Sequence, residues 1–189
     1  MTTFHSRRLP HLHAVGQPMF ITWRLHGSLP ANRRFPEATT SGRAFVAMDR
    51  LLARATSGPL YLRQSETAAM LVEAIRYRDP GDYELHSFVV MPNHVHILVT
   101  PHASLSKTMQ SLKRFTAREG NRLLGLTGQA LWQDESYDRL VRDDREFERI
   151  ERYIEMNPVS AGLVAEPEEF RWSSAWPIAN RPQVANLPH

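Results

Sequence analysis

His94, Val95 and His96 are the first residues whose types and spacing suit catalysis. On an extended strand, side chains at i and i+2 leave the same face, so both imidazoles point one way while Val95 and Ile97 point into a core. Two neutral imidazoles side by side suit a divalent cation. A half-buried histidine pair with no ligand is the plainer reading of so short a motif. The motif follows the turn Met91-Pro92-Asn93 and continues into an apolar strand, which places its polar face in a cleft.

The second group is Tyr153-Ile154-Glu155-Met156-Asn157-Pro158. At helical spacing Tyr153 and Asn157 share one face and present a hydroxyl and an amide together, while Ile150 and Ile154 form the apolar face. A packing role for Tyr153 and a helix-ending role for Asn157 is the alternative, and Pro158 disfavours helical dihedrals at Asn157. Tyr137 competes as a nucleophile, but in the strand-like YDRLVRD it reads better as a ring that packs or stacks on a base; Tyr61, Tyr77 and Tyr83 lie far from the motif in sequence.

Cations form the third group. Lys107, Lys113, Arg114, Arg118 and Arg122 lie in one helical stretch, the last three spaced by four on one face. Such a row either tracks a phosphate backbone or is simply solvated. Arg7 and Arg8, with His11 and His13, offer minor contacts or none, and Trp23, Trp132 and Phe115 join Tyr137 as rings that either stack on bases or fill the core.

Positioning these groups requires a sheet flanked by helices. Residues 19–26 (MFITWRLH), 83–90 (YELHSFVV), 94–100 and 136–142 read as strands. Residues 41–54 and 64–78 have apolar side chains at helical spacing, Phe45, Met48, Leu51 and Leu52 in the first and Ala68, Leu71, Val72 and Ile75 in the second. Another helix runs from Ser104 to about Leu124, closed by Gly125, and a last one starts at Asp143 or Asp144 and stops before Pro158. The order is strand, helices, strand, strand, helix, strand, helix. That is the split β-α-β pattern of a ferredoxin-like α+β fold, an antiparallel sheet flanked by helices. Residues 1–175 read as a single domain and 176–189, with Pro177, Pro182 and Pro188, as a loosely packed tail.

Composition sets the outer limits. The chain has 189 residues, 42% hydrophobic and 23% charged, enough to bury one core and too ordered in pattern for a disordered protein. No apolar run approaches the roughly 20 residues that cross a bilayer, and the N-terminus lacks a secretory core, so the expectation is a cytoplasmic protein with no membrane partner. The absence of cysteine excludes a disulfide scaffold, thiolate chemistry and cysteine-ligated zinc. A net charge of +3 favours a polyanionic partner without establishing one. Lys107 and Lys113 are the only lysines, the remaining basic residues being arginine, a bias that suits phosphate but that a GC-rich genome also produces.

Four separated segments share a further property. FVVMPNHVHILV at 88–99, LKRFTAREGNRLLG at 112–125, LWQDESYDRLVRD at 131–143 and YIEMNPVSAGLV at 153–164 together resemble the IS200-like HUH single-tyrosine transposases, and within them the REP-associated tyrosine transposases. The resemblance extends from the first strand to Trp172-Ser173-Ser174. It implies the HUH nuclease fold and an endonuclease and strand transferase acting on single-stranded DNA next to hairpins. By the same resemblance His94 and His96 are the histidine pair, Tyr153 is the nucleophile that forms a 5′-phosphotyrosine, and Asn157 is the third position that binds Mg²⁺ or Mn²⁺. A monomer and a homodimer are both open. Two other functions fit the same residues: a hairpin-DNA-binding module without turnover, and a metal-dependent phosphodiester hydrolase in which the histidines activate water.

Overall fold

A computed structural model describes residues 15–29, 41–54 and 58–177, with only the backbone of 41–44. Arg7, Arg8, His11 and His13 lie outside the described residues, as do 178–189 of the expected tail.

Four strands form one sheet: β1 (Met19–Arg24), β2 (Tyr83–Val90), β3 (His94–Pro101) and β4 (Tyr137–Leu140). Their spatial order is β2-β3-β1-β4, and every neighbouring pair is antiparallel. With α1 (Ser41–Ala53), α2 (Ser65–Arg76), α3 (Leu105–Leu124) and α4 (Asp144–Glu155) around it, this is the ferredoxin-like α+β arrangement expected from the order of elements.

Strand alternation divides the core in two. Ile21, Trp23, Val95, Ile97 and Val99 point to one face and pack with Leu71 and Ile75 of α2 and Leu112 of α3. Phe20 and Leu98 point to the other, where they meet Phe45 of α1 and Ile150 and Ile154 of α4. His94 and His96 share the parity of Leu98, so they belong to the α1/α4 face. The rung through His96 reads Tyr137, Thr22, His96, Val89 across the four strands.

The elements end for local reasons. Gly125 adopts φ +68° after α3, a left-handed conformation that suits glycine and stops the helix. The Asp143 side chain accepts a 2.7 Å hydrogen bond from the Glu146 N–H and so caps α4, the helix that presents Tyr153. On the outer edge, residues 172–174 return along β2, with Val90 N–H donating to the Trp172 carbonyl and Ser174 N–H to that of Phe88.

Two boundaries differ from the sequence expectation. β4 is shorter than 136–142, and Leu25 joins the sheet only through an isolated bridge to Trp132. Helical structure also does not stop at Pro158: after a break at Met156 it resumes as the one-turn α5 (Asn157–Ser160). Pro158 sits in the first turn, where a helix needs no N–H from it, so Asn157 keeps a helical setting.

Candidate active site

The two histidines are wholly buried, and the cluster around them is assembled from four elements. β3 contributes His94 and His96, α4 Tyr153, α5 Asn157 and α1 a carboxylate, Asp49. Asp49 Oδ1 lies 3.3 Å from His94 Nε2 and 3.0 Å from His96 Nε2. The Tyr153 hydroxyl donates to Asp49 Oδ2, and Asn157 Nδ2 stands 3.3 Å from the same oxygen and 3.3 Å from His96 Nε2. The Tyr153 ring meets Phe20, Phe45 and His96 edge-on.

Asp49 is the candidate site residue that sequence reasoning missed. It lies 45 residues before His94, but a signal was present: with Phe45 and Leu52 it forms the buried stripe of α1, at i, i+4 and i+7. A carboxylate in the middle of an apolar stripe must find partners or a cation.

Electrostatics explain why these groups meet. Burial, reinforced by His96, pushes the His94 imidazole down to about 3, so it is neutral near pH 7. Burial alone would raise Asp49, but the two imidazoles and the Tyr153 hydroxyl outweigh it and hold the carboxyl well below its usual range. The Tyr153 phenol is pushed far up, first by burial and then by the adjacent Asp49 charge. A fully ionised phenol is therefore not its resting state.

Asp49 Oδ1 and His94 Nε2, 3.3 Å apart, are buried without a hydrogen bond, and Asn157 Oδ1 is a further buried oxygen without one. All three are acceptors with His94 neutral and the carboxylate ionised, and the facing pair, Asp49 Oδ1 and His94 Nε2, repel in a dry interior unless a cation lies between them. Spacings of 3.0 and 3.3 Å also match neighbouring ligands around an ion with bonds of about 2.1 Å. The donor set therefore fits a divalent metal, with His94, His96, Asp49 and Asn157 as its holders. Two imidazoles with two oxygens favour Mn²⁺ or a later transition ion over Mg²⁺ in affinity.

His94 makes stability pH-dependent. Its pKa is lower folded, at about 3, than unfolded, near 6.5, so its contribution is complete above the unfolded value and is lost as pH falls towards 3. With a chelator present, urea denaturation is expected to show a loss of about 2 kcal/mol between pH 7 and 5 from this group. His94→Gln should flatten that slope; a slope unaffected by the substitution would refute the assignment.

The other candidates are dispersed. Lys113 is committed to the fold, its ammonium donating to the carbonyls of Gln133 at 2.7 Å and Asp134 at 3.0 Å. Arg118 and Arg122 are exposed and share Glu119, which lies between them on α3. Lys107 and Arg114 are exposed on the same helix. Tyr137 is half-buried and stacks on Phe45, 4.3 Å between centroids, so it borders the histidine cluster rather than joining it. Trp23 and Trp132 pack edge-on inside the core, with Trp132 Nε1 donating to Thr116, and are not open stacking platforms.

Comparisons with known proteins bear on the family and the fold. Residues 65–157 match the family model described as "Transposase IS200 like", a span that includes His94, His96, Tyr153 and Asn157. No curated protein matches the chain. Among solved structures, the fold is similar to that of a REP-associated tyrosine transposase bound to a REP hairpin, with 17% identity, 95% of this chain and 94% of that one covered, and a TM-score of 0.58. A candidate transposase of Deinococcus radiodurans R1 is 16% identical over 79% of this chain and 97% of its own, with a TM-score of 0.42. The first likeness bears on the fold, and the family model bears on the segment that carries the histidine pair and the tyrosine. Over residues 65–157 the chain is similar to the IS200-like transposases.

Proposed function

We propose that this chain is a metal-dependent single-stranded DNA endonuclease and strand transferase of the REP-associated type, acting next to hairpins through a 5′-phosphotyrosine. The observation that carries the reading is the convergence of Tyr153, Asn157, both histidines and Asp49 in one buried cluster. The fold shared with a transposase bound to a REP hairpin supports hairpin DNA as the partner.

The residues divide the work. His94, His96, Asp49 and Asn157 would hold a divalent cation, which would supply Lewis-acid stabilisation of the charge that builds on the phosphate oxygens. Tyr153 attacks phosphorus, the bond to the 3′ oxygen breaks, and the products are a 5′-phosphotyrosine and a 3′-hydroxyl. Asp49 Oδ2, which already accepts the Tyr153 hydroxyl, is the transient acceptor of the phenolic proton as the bond to phosphorus forms, and the same proton is delivered to the departing 3′ oxygen, leaving Asp49 ionised again. The ester link retains the phosphoryl group for a second 3′-hydroxyl, which reverses the step and joins two strands.

The test is incubation with single-stranded DNA carrying a hairpin, with Mn²⁺, followed by a denaturing gel. A protein–DNA adduct supports the transferase. Free cleavage products alone indicate a hydrolase, and retention without cleavage a binding module.

The α3 cations carry a separate expectation. Replacing Arg114, Arg118 and Arg122 together with Ala should reduce the slope of log affinity against log salt by roughly 2 to 3, because each phosphate contact releases about one counterion. An unchanged slope in a filter-binding series would assign that face to solvent and to the Glu119 pairs.

A further inference from the structure

Asn93 precedes the histidine pair, is 1% exposed, and uses both ends of its amide. Nδ2 donates to the Leu52 carbonyl at 3.0 Å, while Oδ1 lies 2.7 Å from His94 Nδ1. A carbonyl only accepts, so the Leu52 contact decides which end of the amide is nitrogen. Oδ1 therefore faces His94, and Nδ1 must carry the proton it accepts. The lone pair of the neutral ring is then at Nε2, the atom directed at Asp49 Oδ1.

His96 has no equivalent lock. Its Nδ1 meets the Thr22 hydroxyl at 2.7 Å, and a hydroxyl either gives or receives. Leu52 adds a second consequence, because it lies on α1 three residues after Asp49. One amide thus joins the strand that carries the histidines to the helix that carries the carboxylate. The turn that holds it is itself pinned, with Leu25 N–H donating to the Asn93 carbonyl and Leu62 N–H to that of Pro92.

We infer that Asn93 is a positioning residue that fixes His94 with Nε2 bare for a cation and ties down the turn of α1 that brings Asp49 beside it. This rests on the metal reading of the site above. Oriented ligand histidines bind metal more tightly because their second nitrogen is already committed, and loss of such a partner typically costs 10–100-fold in affinity.

The experiment compares the wild-type full chain with Asn93→Ala and Asn93→Asp. Imidazole ¹⁵N spectra of the metal-free proteins read the His94 tautomer, and calorimetry with Mn²⁺ reads affinity. In the wild type His94 is expected as the Nδ1–H form. Asn93→Ala should admit the Nε2–H form and weaken Mn²⁺ binding about 10–100-fold. Asn93→Asp keeps an acceptor for Nδ1–H but loses the donor to the Leu52 carbonyl, so it should retain the tautomer and recover part of the affinity lost in Asn93→Ala, which a merely structural role would not produce. A wild-type Nε2–H tautomer overturns the proposal, and so does an Asn93→Asp variant in which His94 takes the Nε2–H form; both remain readable if Asn93→Ala fails to fold. Mn²⁺ affinity indifferent to residue 93 overturns the role of Asn93 alone, whereas a wild type that binds no Mn²⁺ overturns the metal reading itself.

Discussion

Tyr153→Phe is expected to eliminate both strand cleavage and the covalent protein–DNA adduct, a loss of at least about 10³-fold, because the substitution removes the attacking oxygen and nothing else. The ring keeps its edge-on contacts with Phe20, Phe45 and His96. Asp49 Oδ2 loses the phenolic donor but retains the Asn157 amide, so the cost in stability should be on the order of 1–2 kcal/mol and the variant should still fold. Tyr137→Phe is the matched control. Tyr137 is stacked on Phe45 and makes its contribution through the ring face, so its hydroxyl is dispensable and the adduct should persist. Mass spectrometry of the digested adduct should place the nucleotide on the peptide that contains Tyr153. Finding it on Tyr137, or finding cleavage intact in Tyr153→Phe, would overturn the nucleophile.

The second large effect concerns the metal. His94→Ala with His96→Ala should abolish cleavage while hairpin affinity stays within a few fold, since the cation acts at the scissile phosphate and surface cations supply most of the binding. Asp49→Asn separates the carboxylate from the histidines. It preserves size and the acceptor near Tyr153 but removes the charge that balances a divalent ion in a dry site, so Mn²⁺ affinity measured by calorimetry should fall at least about tenfold. Affinity unchanged in Asp49→Asn would remove the carboxylate from the ligand set. Cleavage unchanged in the histidine double variant would rule out the whole assignment.

Both expectations depend on residues of very different visibility in the sequence. His94 and His96 were legible because a strand has a period of two, and one intervening valine suffices to put two imidazoles on one face. Tyr153 and Asn157 were legible through the helical four-residue spacing, and both contact Asp49 even though the helix breaks at Met156 between them. The order of elements determined the antiparallel sheet, since strands joined by short turns and helical crossovers in this sequence leave few other arrangements.

Asp49 shows where that reasoning runs out. Periodicity identified the apolar stripe of α1 but not the face of the sheet on which it would lie, and only that choice brings a carboxylate 3.0 Å from His96. The fate of Lys113 was undetermined for a related reason: its partners are backbone carbonyls of residues 133 and 134, and backbone groups carry no sequence signature. Local spacing is written in neighbouring side chains and therefore survives in the linear sequence. Which helix covers which half of the sheet depends on long-range packing of whole faces, and in this protein it is that packing of α1 against β3 and α4 that turns a histidine pair and a tyrosine into one site.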